Sequence, residues 1–270
     1  MRAPLRIEHS GDIAIVRFCR PEVHNAMDAS LIAALANAVE ELAADASVRA
    51  LVFTGNDRAF SAGGDLWSIS GDRRGAPAAV RDLAANLHQT IVHLRRMPKP
   101  VIAAIGGVAA GAGMSLALAC DLRVMGRSAR MVLAYTSRGL SVDGGASFSL
   151  PRLIGLARSL ELVALDEPIS AERALAWGLA TRVVADDEVL GEAVALAKRV
   201  AKRSVHAFGA AKSLLVDSFG ATLEEQLARE TEALARSAAH PDGAEGLAAF
   251  RGKRSPVFRG KSRPRSARRA

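Results

Sequence analysis

V-I-A-A-I-G-G-V-A-A-G-A-G-M-S-L-A-L-A-C, residues 101–120, carries no charge and has glycines at 106, 107, 111 and 113. Its length is that of a membrane-spanning helix. Four glycines, and flanks of M-P-K-P and D-L-R, argue instead for a buried strand over 101–105, a glycine turn and a helix start near residue 112. Unpaired N–H groups and the positive end of the helix dipole gather at such a start. This reading makes the chain soluble and its fold α/β.

The pattern on either side agrees. Ile13 to Phe18 (I-A-I-V-R-F) is a strand signal ended by Arg20-Pro21. Asp28 then caps a helix with Leu31, Leu35, Ala38, Val39 and Leu42 on one face. Arg49 to Thr54 is a short buried strand, and Val80 to Arg96 repeats the helical spacing through Val80, Leu83, Leu87, Ile91 and Leu94. Leu122 to Met125 and Met131 to Leu133 supply two more strands. Strand and helix thus alternate over residues 10–135, the rhythm of a parallel sheet covered by helices. After Leu150 the pattern turns helical, over about 156–165, 170–177, 188–203, 205–218, 222–238 and 242–250. The last opens D-G-A-E, Asp242 to Glu245, with the spacing of a capping box whose cap is Asp242. We divide the chain into a core over 1–195, a helical region over 196–260 and a basic tail over 261–270 with the composition of a disordered terminus.

At 270 residues the chain can bury a large core, and with only 4% aromatics that core is built from Ala, Leu and Val. The formal net charge of +8 is local. No acid follows Glu245, while Arg251, Lys253, Arg254, Arg259, Lys261, Arg263, Arg265, Arg268 and Arg269 do; setting those nine aside leaves −1. A nucleic-acid binder carries its charge on a folded face, so neither that role nor a membrane role is expected. Cys19 and Cys120 have no metal or redox spacing and read as buried reduced thiols. The first residues lack the apolar run of a secretory signal, and the expectation is a cytoplasmic protein.

The chemistry centres on two glycine turns. F-S-A-G-G-D, Phe60 to Asp65, follows a strand and can present a bare N–H; the turn before residue 112 can present another. Two such donors aimed at one oxygen can stabilise an oxyanion. Phosphate binding is the rival use, but neither G-x-x-x-x-G-K-[ST] nor G-x-G-x-x-G is present.

Eight segments in order resemble the enoyl-CoA hydratase/isomerase (crotonase) superfamily: R-P-E-V-H-N-A-M (20–27), A-F-S-A-G-G-D-L (59–66), K-P-V-I-A-A-I-G-G-V-A-A-G-A-G (99–113), A-C-D-L-R (119–123), G-L-S-V-D-G-G (139–145), L-P-R-L-I-G (150–155), I-S-A-E-R-A-L-A-W-G-L-A (169–180) and A-E-G-L-A-A-F-R-G-K-R-S-P-V-F-R-G (244–260). The resemblance implies a ββα spiral core with a C-terminal helical trimerisation region, a homotrimer or dimer of trimers, and an acyl-CoA thioester as ligand with no further cofactor and no metal. By position it implies the N–H groups of Gly64 and Ala112 as oxyanion donors. Val23, Ala26, Ala62, Asp65 and Leu66 fall where relatives line the CoA channel, and Phe250, Lys253 and Arg254 where a terminal segment reaches over it.

The base departs from the family pattern. Relatives that add water use two glutamates, and at those positions stand Ser115 and Tyr135. A phenol with a pKa of about 10 is a poor base. The next acid is Asp143 in S-V-D-G-G, where some isomerase-like relatives keep one; the bland alternative is a turn aspartate before two glycines. One carboxylate beside an enolate-stabilising pocket suits a 1,3-proton shift. The leading expectation is therefore enoyl-CoA double-bond isomerisation with Asp143 as base. The alternatives are hydration through non-standard residues, a silent acyl-CoA-binding protein, and a thioesterase using Ser115. Ser115 and Tyr135 are otherwise expected to line the acyl pocket, Trp67 and Trp177 to be packing residues, and His88 and His93, five apart on one helix, not to share a metal.

Overall fold

The computed structural model describes residues 3–258. In chain order the strands are β1 (Leu5–Ser10), β2 (Ile13–Phe18), β3 (Ala50–Thr54), β4 (Ala59–Ser61), β5 (Val101–Ile105), β6 (Val108–Ala110), β7 (Leu122–Gly126), β8 (Arg130–Val132), β9 (Ile169–Ser170) and β10 (Arg182–Val184). The helices are α1 (Ala29–Ala44), α2 (Leu66–Ser70), α3 (Ala76–Arg96), α4 (Ala112–Ala119), α5 (Ala146–Leu165), α6 (Ala171–Ala176), α7 (Val189–Ala201), α8 (Val205–Asp217), α9 (Leu223–Ala239) and α10 (Pro241–Arg251).

Six strands make the main sheet in the order β1-β2-β3-β5-β7-β10, parallel apart from the β1–β2 hairpin. Its central strands are buried on both faces, as parallel strands are. Side chains alternate across it. Val16, Leu51, Phe53, Ala103 and Ile105 join the core that contains α1, α3 and α4. Ile13, Ile15, Val52, Ile102 and Val124 face the other way, onto Val189, Ala193, Leu196 and Ala197 of α7. The division expected at residue 195 thus falls inside a helix packed on the sheet.

A second sheet, β4-β6-β8-β9, stands beside the first and carries the site. Its strands are two or three residues long, too short for periodicity to reveal, and only β8 was expected. Gly107 is required where β6 meets β4: a Cβ there would lie 2.2 Å from the Arg58 carbonyl carbon. The stretch that reads as strand, glycines and helix is therefore strand, glycines, second strand and helix.

Asp28 caps α1 as expected, accepting from the Leu31 N–H at 2.9 Å. Two helix expectations are corrected. The helix over 156–165 is the second half of α5, which is interrupted at Gly155 (φ 79°, ψ 162°). Asp242 does not cap α10; the cap is His240, whose Nδ1 accepts from the Asp242 N–H at 3.1 Å, with Pro241 as first helical residue and Asp242 buried. The capping box lies elsewhere, at Thr222 and Glu225 of α9. Among the described residues no helix is long and apolar enough to cross a membrane. The tail over 261–270 lies outside the described residues.

Candidate active site

The first turn is locked from below. Asn25 donates to the Ala59 carbonyl at 3.0 Å, and Ser61 Oγ donates to the Asn25 carbonyl at 2.8 Å while accepting from the Gly63 N–H at 3.2 Å. The Met27 N–H donates to the Gly63 carbonyl at 2.7 Å and the Asp65 N–H to the Met27 carbonyl at 3.0 Å. Arg20 ties the loop together, pairing with Asp28 at 3.0 Å and Asp65 at 3.2 Å. Asp65 in turn caps α2 through the Ser68 N–H. All of this brackets Gly64, whose N–H donates to no group among the described residues.

The second turn meets the first. Gly111 takes φ 51° and ψ −127°, a conformation open to glycine. Ala112 then begins α4, whose eight residues are all buried. The Ala112 N–H, as the first of the helix, also has no acceptor among the described residues. Gly63, at φ 92°, lets the turns touch, since a Cβ on it would lie 2.8 Å from the Ala110 carbonyl oxygen and 3.1 Å from the Ala112 nitrogen. Two unpaired N–H groups on contacting turns can receive one oxygen that gathers negative charge.

Asp143 lies on the loop before α5, and its carboxylate Oδ1 contacts Nε2 of His88, on α3. The same Nε2 faces the Gly144 N–H at 3.3 Å. It can donate to Asp143 only when protonated and accept from Gly144 only when not. The ring tautomer thus decides which of the two contacts is a hydrogen bond. Ser115 donates to the main-chain carbonyl of Asp143 at 2.7 Å, with the Gly111 carbonyl as a second acceptor at 3.2 Å. Tyr135 Oη is 3.5 Å from Ser115 Oγ. Burial pushes the Tyr135 phenol up, and the charge of Asp143 acts in the same direction, against the hydrogen bond with Ser115. A phenol raised in this way keeps its proton near neutral pH.

A cavity of about 460 Å³ opens over these groups and is lined by Gly64, Ala112, Tyr135 and Asp143, with Leu83 and Leu87 of α3 among its apolar walls. Ala62 and Leu66 also line it. Val23, Ala26 and Asp65 stand in the supporting loop and do not reach its surface. Ser115 does not line it either: it is 1% exposed and its hydroxyl holds the Asp143 loop. Among the described residues no histidine is a partner of Ser115, so they supply no nucleophile–base pair of the kind a Ser115 thioesterase needs. Phe250, Lys253 and Arg254 are not brought to the cavity within this chain; Phe250 projects into solvent from α10, and Arg254 pairs with Glu245 at 2.6 Å.

Among the lining or adjoining residues that escaped the sequence reading, Trp67, His88 and Arg138 carry polar or aromatic chemistry. Trp67 is no packing residue: it is 87% exposed and lines the cavity. His88 sits one position past the apolar stripe of α3, and only tertiary structure brings it to Asp143. Arg138 lies in an unpatterned turn, Thr136–Arg138.

A model described as enoyl-CoA hydratase/isomerase matches residues 8–261. The chain is 37% identical over 243 residues to 1,2-epoxyphenylacetyl-CoA isomerase of Escherichia coli (strain K12), covering 90% of this chain and 93% of that one. It is 35% identical over 250 residues to 4-chlorobenzoyl coenzyme A dehalogenase-2 of Arthrobacter sp, covering 92% and 91%. The crystal structure of an enoyl-CoA hydratase from Polaromonas sp. JS666 superposes with a TM-score of 0.90 at 38% identity, covering 94% of this chain and 99% of that one.

Proposed function

We propose that this chain, which belongs to the enoyl-CoA hydratase/isomerase family, moves the double bond of an enoyl-CoA by a 1,3-proton shift. Membership makes it an acyl-CoA enzyme of that family; the reaction is our reading. The thioester oxygen of a 3-enoyl-CoA receives the N–H groups of Gly64 and Ala112. Asp143 takes a proton from C2, the electron pair delocalises into the carbonyl as a dienolate, and Asp143, its proton open to exchange with solvent, delivers a proton to C4. The product is the conjugated 2-enoyl-CoA, and no cofactor beyond the CoA of the substrate takes part.

The observation that carries this reading is that Asp143 is, among the described residues, the one acid lining the cavity beside the two unpaired N–H groups. Hydration needs a second acid/base, and the residues at that place are committed otherwise, Ser115 to the Asp143 carbonyl and Tyr135 to a phenol kept protonated. His88 serves as the neighbour that shares the proton of Asp143 between turnovers. The apolar side chains left exposed on the helices, among them Leu156 and Leu160 of α5 and Leu215, Leu223 and Leu234 of α8 and α9, favour the homotrimer or dimer of trimers that the family resemblance implies.

A second reading is favoured by the His88–Asp143 contact together with the likeness to a 4-chlorobenzoyl-CoA dehalogenase. A carboxylate with an imidazole beside it can act as nucleophile and base. Asp143 would attack the halogen-bearing ring carbon, halide would leave, and water activated by His88 would hydrolyse the aryl ester.

Incubation with 3-hexenoyl-CoA, crotonyl-CoA and 4-chlorobenzoyl-CoA tests both. The expected result is rising absorbance of the conjugated thioester from 3-hexenoyl-CoA, with solvent deuterium entering the product. Chloride release without that shift would establish the second reading. Hydroxyacyl product from crotonyl-CoA would restore hydration, and binding of all three without turnover would leave a silent acyl-CoA-binding protein.

A further inference from the structure

Among the described residues two charged ones line the cavity, Asp143 and Arg138. The first has His88 as partner. Arg138 has no carboxylate partner among the described residues; its guanidinium donates only to Ser137 Oγ at 3.2 Å and the Ala134 carbonyl at 3.5 Å. A guanidinium without an acid partner on the wall of a largely apolar cavity can serve as a binding group for an anion.

The backbone beneath it is fixed. Asp166, at the end of α5, accepts from the Ala134 N–H at 2.6 Å and the Ser137 N–H at 2.9 Å. Burial opposes its charge, yet those hydrogen bonds hold the Asp166 carboxyl below its ordinary range. Thr136 Oγ1 donates to the Val163 carbonyl at 2.7 Å, and the Tyr135 carbonyl accepts from the Arg138 and Leu140 N–H groups at 2.9 and 3.0 Å. Arg138 therefore rises from a turn pinned to α5.

The anion's place on the ligand follows from the direction of the acyl chain, and this step rests on the proposed function. With the thioester oxygen between Gly64 and Ala112, the carbons that exchange protons must lie at Asp143. Asp143, Ser141, Leu140 and Arg138 all line the cavity and follow one another closely in the chain, so an acyl group whose reacting carbons lie at Asp143 can extend toward Arg138. Arg138 is exposed, so an anion meeting it keeps part of its hydration and the desolvation cost stays small.

We propose that Arg138 makes this site selective for acyl-CoA thioesters whose acyl chain ends in a carboxylate. Such a substrate is the product of a reaction that installs or exposes a second carboxyl group on the acyl chain before activation to the thioester.

Binding of saturated, unreactive thioesters tests it apart from turnover. Calorimetry compares hexanoyl-CoA and adipoyl-CoA, and the matching N-acetylcysteamine thioesters, on wild type, Arg138→Leu and Arg138→Lys. The expected result is that Arg138→Leu weakens adipoyl thioesters roughly ten- to a hundredfold on both carriers and leaves hexanoyl thioesters unchanged, with partial recovery in Arg138→Lys. Equal weakening of both CoA esters, with neither N-acetylcysteamine ester affected, would assign Arg138 to CoA phosphates and overturn the proposal. Unchanged affinities throughout would overturn it too. If wild type binds adipoyl-CoA yet turns over neither 3-hexenoyl-CoA nor 3-hexenedioyl-CoA, the isomerase reading fails while the Arg138 comparison still gives its answer.

Discussion

The hydroxyl of Ser115 donates to the main-chain carbonyl of Asp143 at 2.7 Å, so the residue on the first turn of α4 holds the backbone of the candidate base. The relation accounts for a serine at a place where an acid would do different work. It also fixes the fit of the loop. Gly144, at φ 61°, has no room for a side chain because a Cβ would lie 2.7 Å from Ser115 Cβ. Ser115 and Gly144 thus set the distance between the Gly111–Ala112 turn and the carboxylate.

Removing the carboxylate and removing its support should differ in kind. Asp143→Asn is expected to lower kcat by about 10²- to 10⁴-fold, the usual worth of a positioned acid/base, with thioester affinity retained. Ser115→Ala keeps the carboxylate and loses one hydrogen bond, at a cost of about 0.5 to 1.5 kcal/mol in stability. Steady-state kinetics and urea unfolding of the two variants separate these effects. Full turnover by Asp143→Asn would remove Asp143 from the chemistry.

Ala112→Pro tests the second N–H donor with little damage to the fold. Proline is well placed at the first position of a helix, where its missing N–H satisfies no helical bond. Gly111 precedes it at φ 51° and ψ −127°, the mirror image of the extended conformation that a residue before proline prefers and one that glycine can take. The expected outcome is a kcat at least about 10²-fold lower, as for loss of one oxyanion donor, with Tm nearly unchanged. Unchanged kcat would mean that the thioester oxygen lies elsewhere.

Gly113 probes how tightly the two turns are joined. A Cβ at this position would lie 2.5 Å from the Ser61 carbonyl oxygen and 2.8 Å from Ser61 Cβ. α4 packs against the backbone of β4, which cannot withdraw without moving Gly63 and Gly64. Gly113→Ala gains helix propensity and should still destabilise, by about 1 to 3 kcal/mol as for overpacking, and lower kcat as the turns part. Chemical denaturation gives the first and kinetics the second; a more stable variant would contradict the close approach.

The legible parts of the sequence were those with a period or a cap. The apolar runs of β2, β3 and β5 and the one-sided faces of α1 and α3 mark themselves, and Asp28 announces the start of α1. β4, β6 and β9 are too short to show a period, so the second sheet stayed hidden although it carries both turns. Gly64, Ala112 and Asp143 were identified as candidates by motif resemblance and by the chemistry of their neighbours. His88 and Arg138 could not be, because a histidine beside an apolar stripe and an arginine in a turn look like solvated surface until the fold sets them at a cavity. The assignment of Asp242 as a cap failed for a local reason: His240, two residues earlier and followed by proline, supplies the acceptor instead.

The start of α10 should respond to mild acid. The His206 ring on α8 stacks on His240, with centroids 3.9 Å apart and planes 3° from parallel. Burial lowers the His206 pKa, His240 and Arg236 lower it further, and Asp242 opposes them. A histidine whose folded pKa lies below its unfolded value of about 6.5 binds fewer protons in the native state, so its contribution is complete above that pH and is lost as pH falls through it toward the folded value. Tm is therefore expected to fall between pH 7.5 and 5.5, and to fall less in His206→Gln, which has no proton to gain in that window. Scanning calorimetry at both pH values gives the comparison. Equal slopes for wild type and variant would show that the stacked pair does not govern how α10 is held.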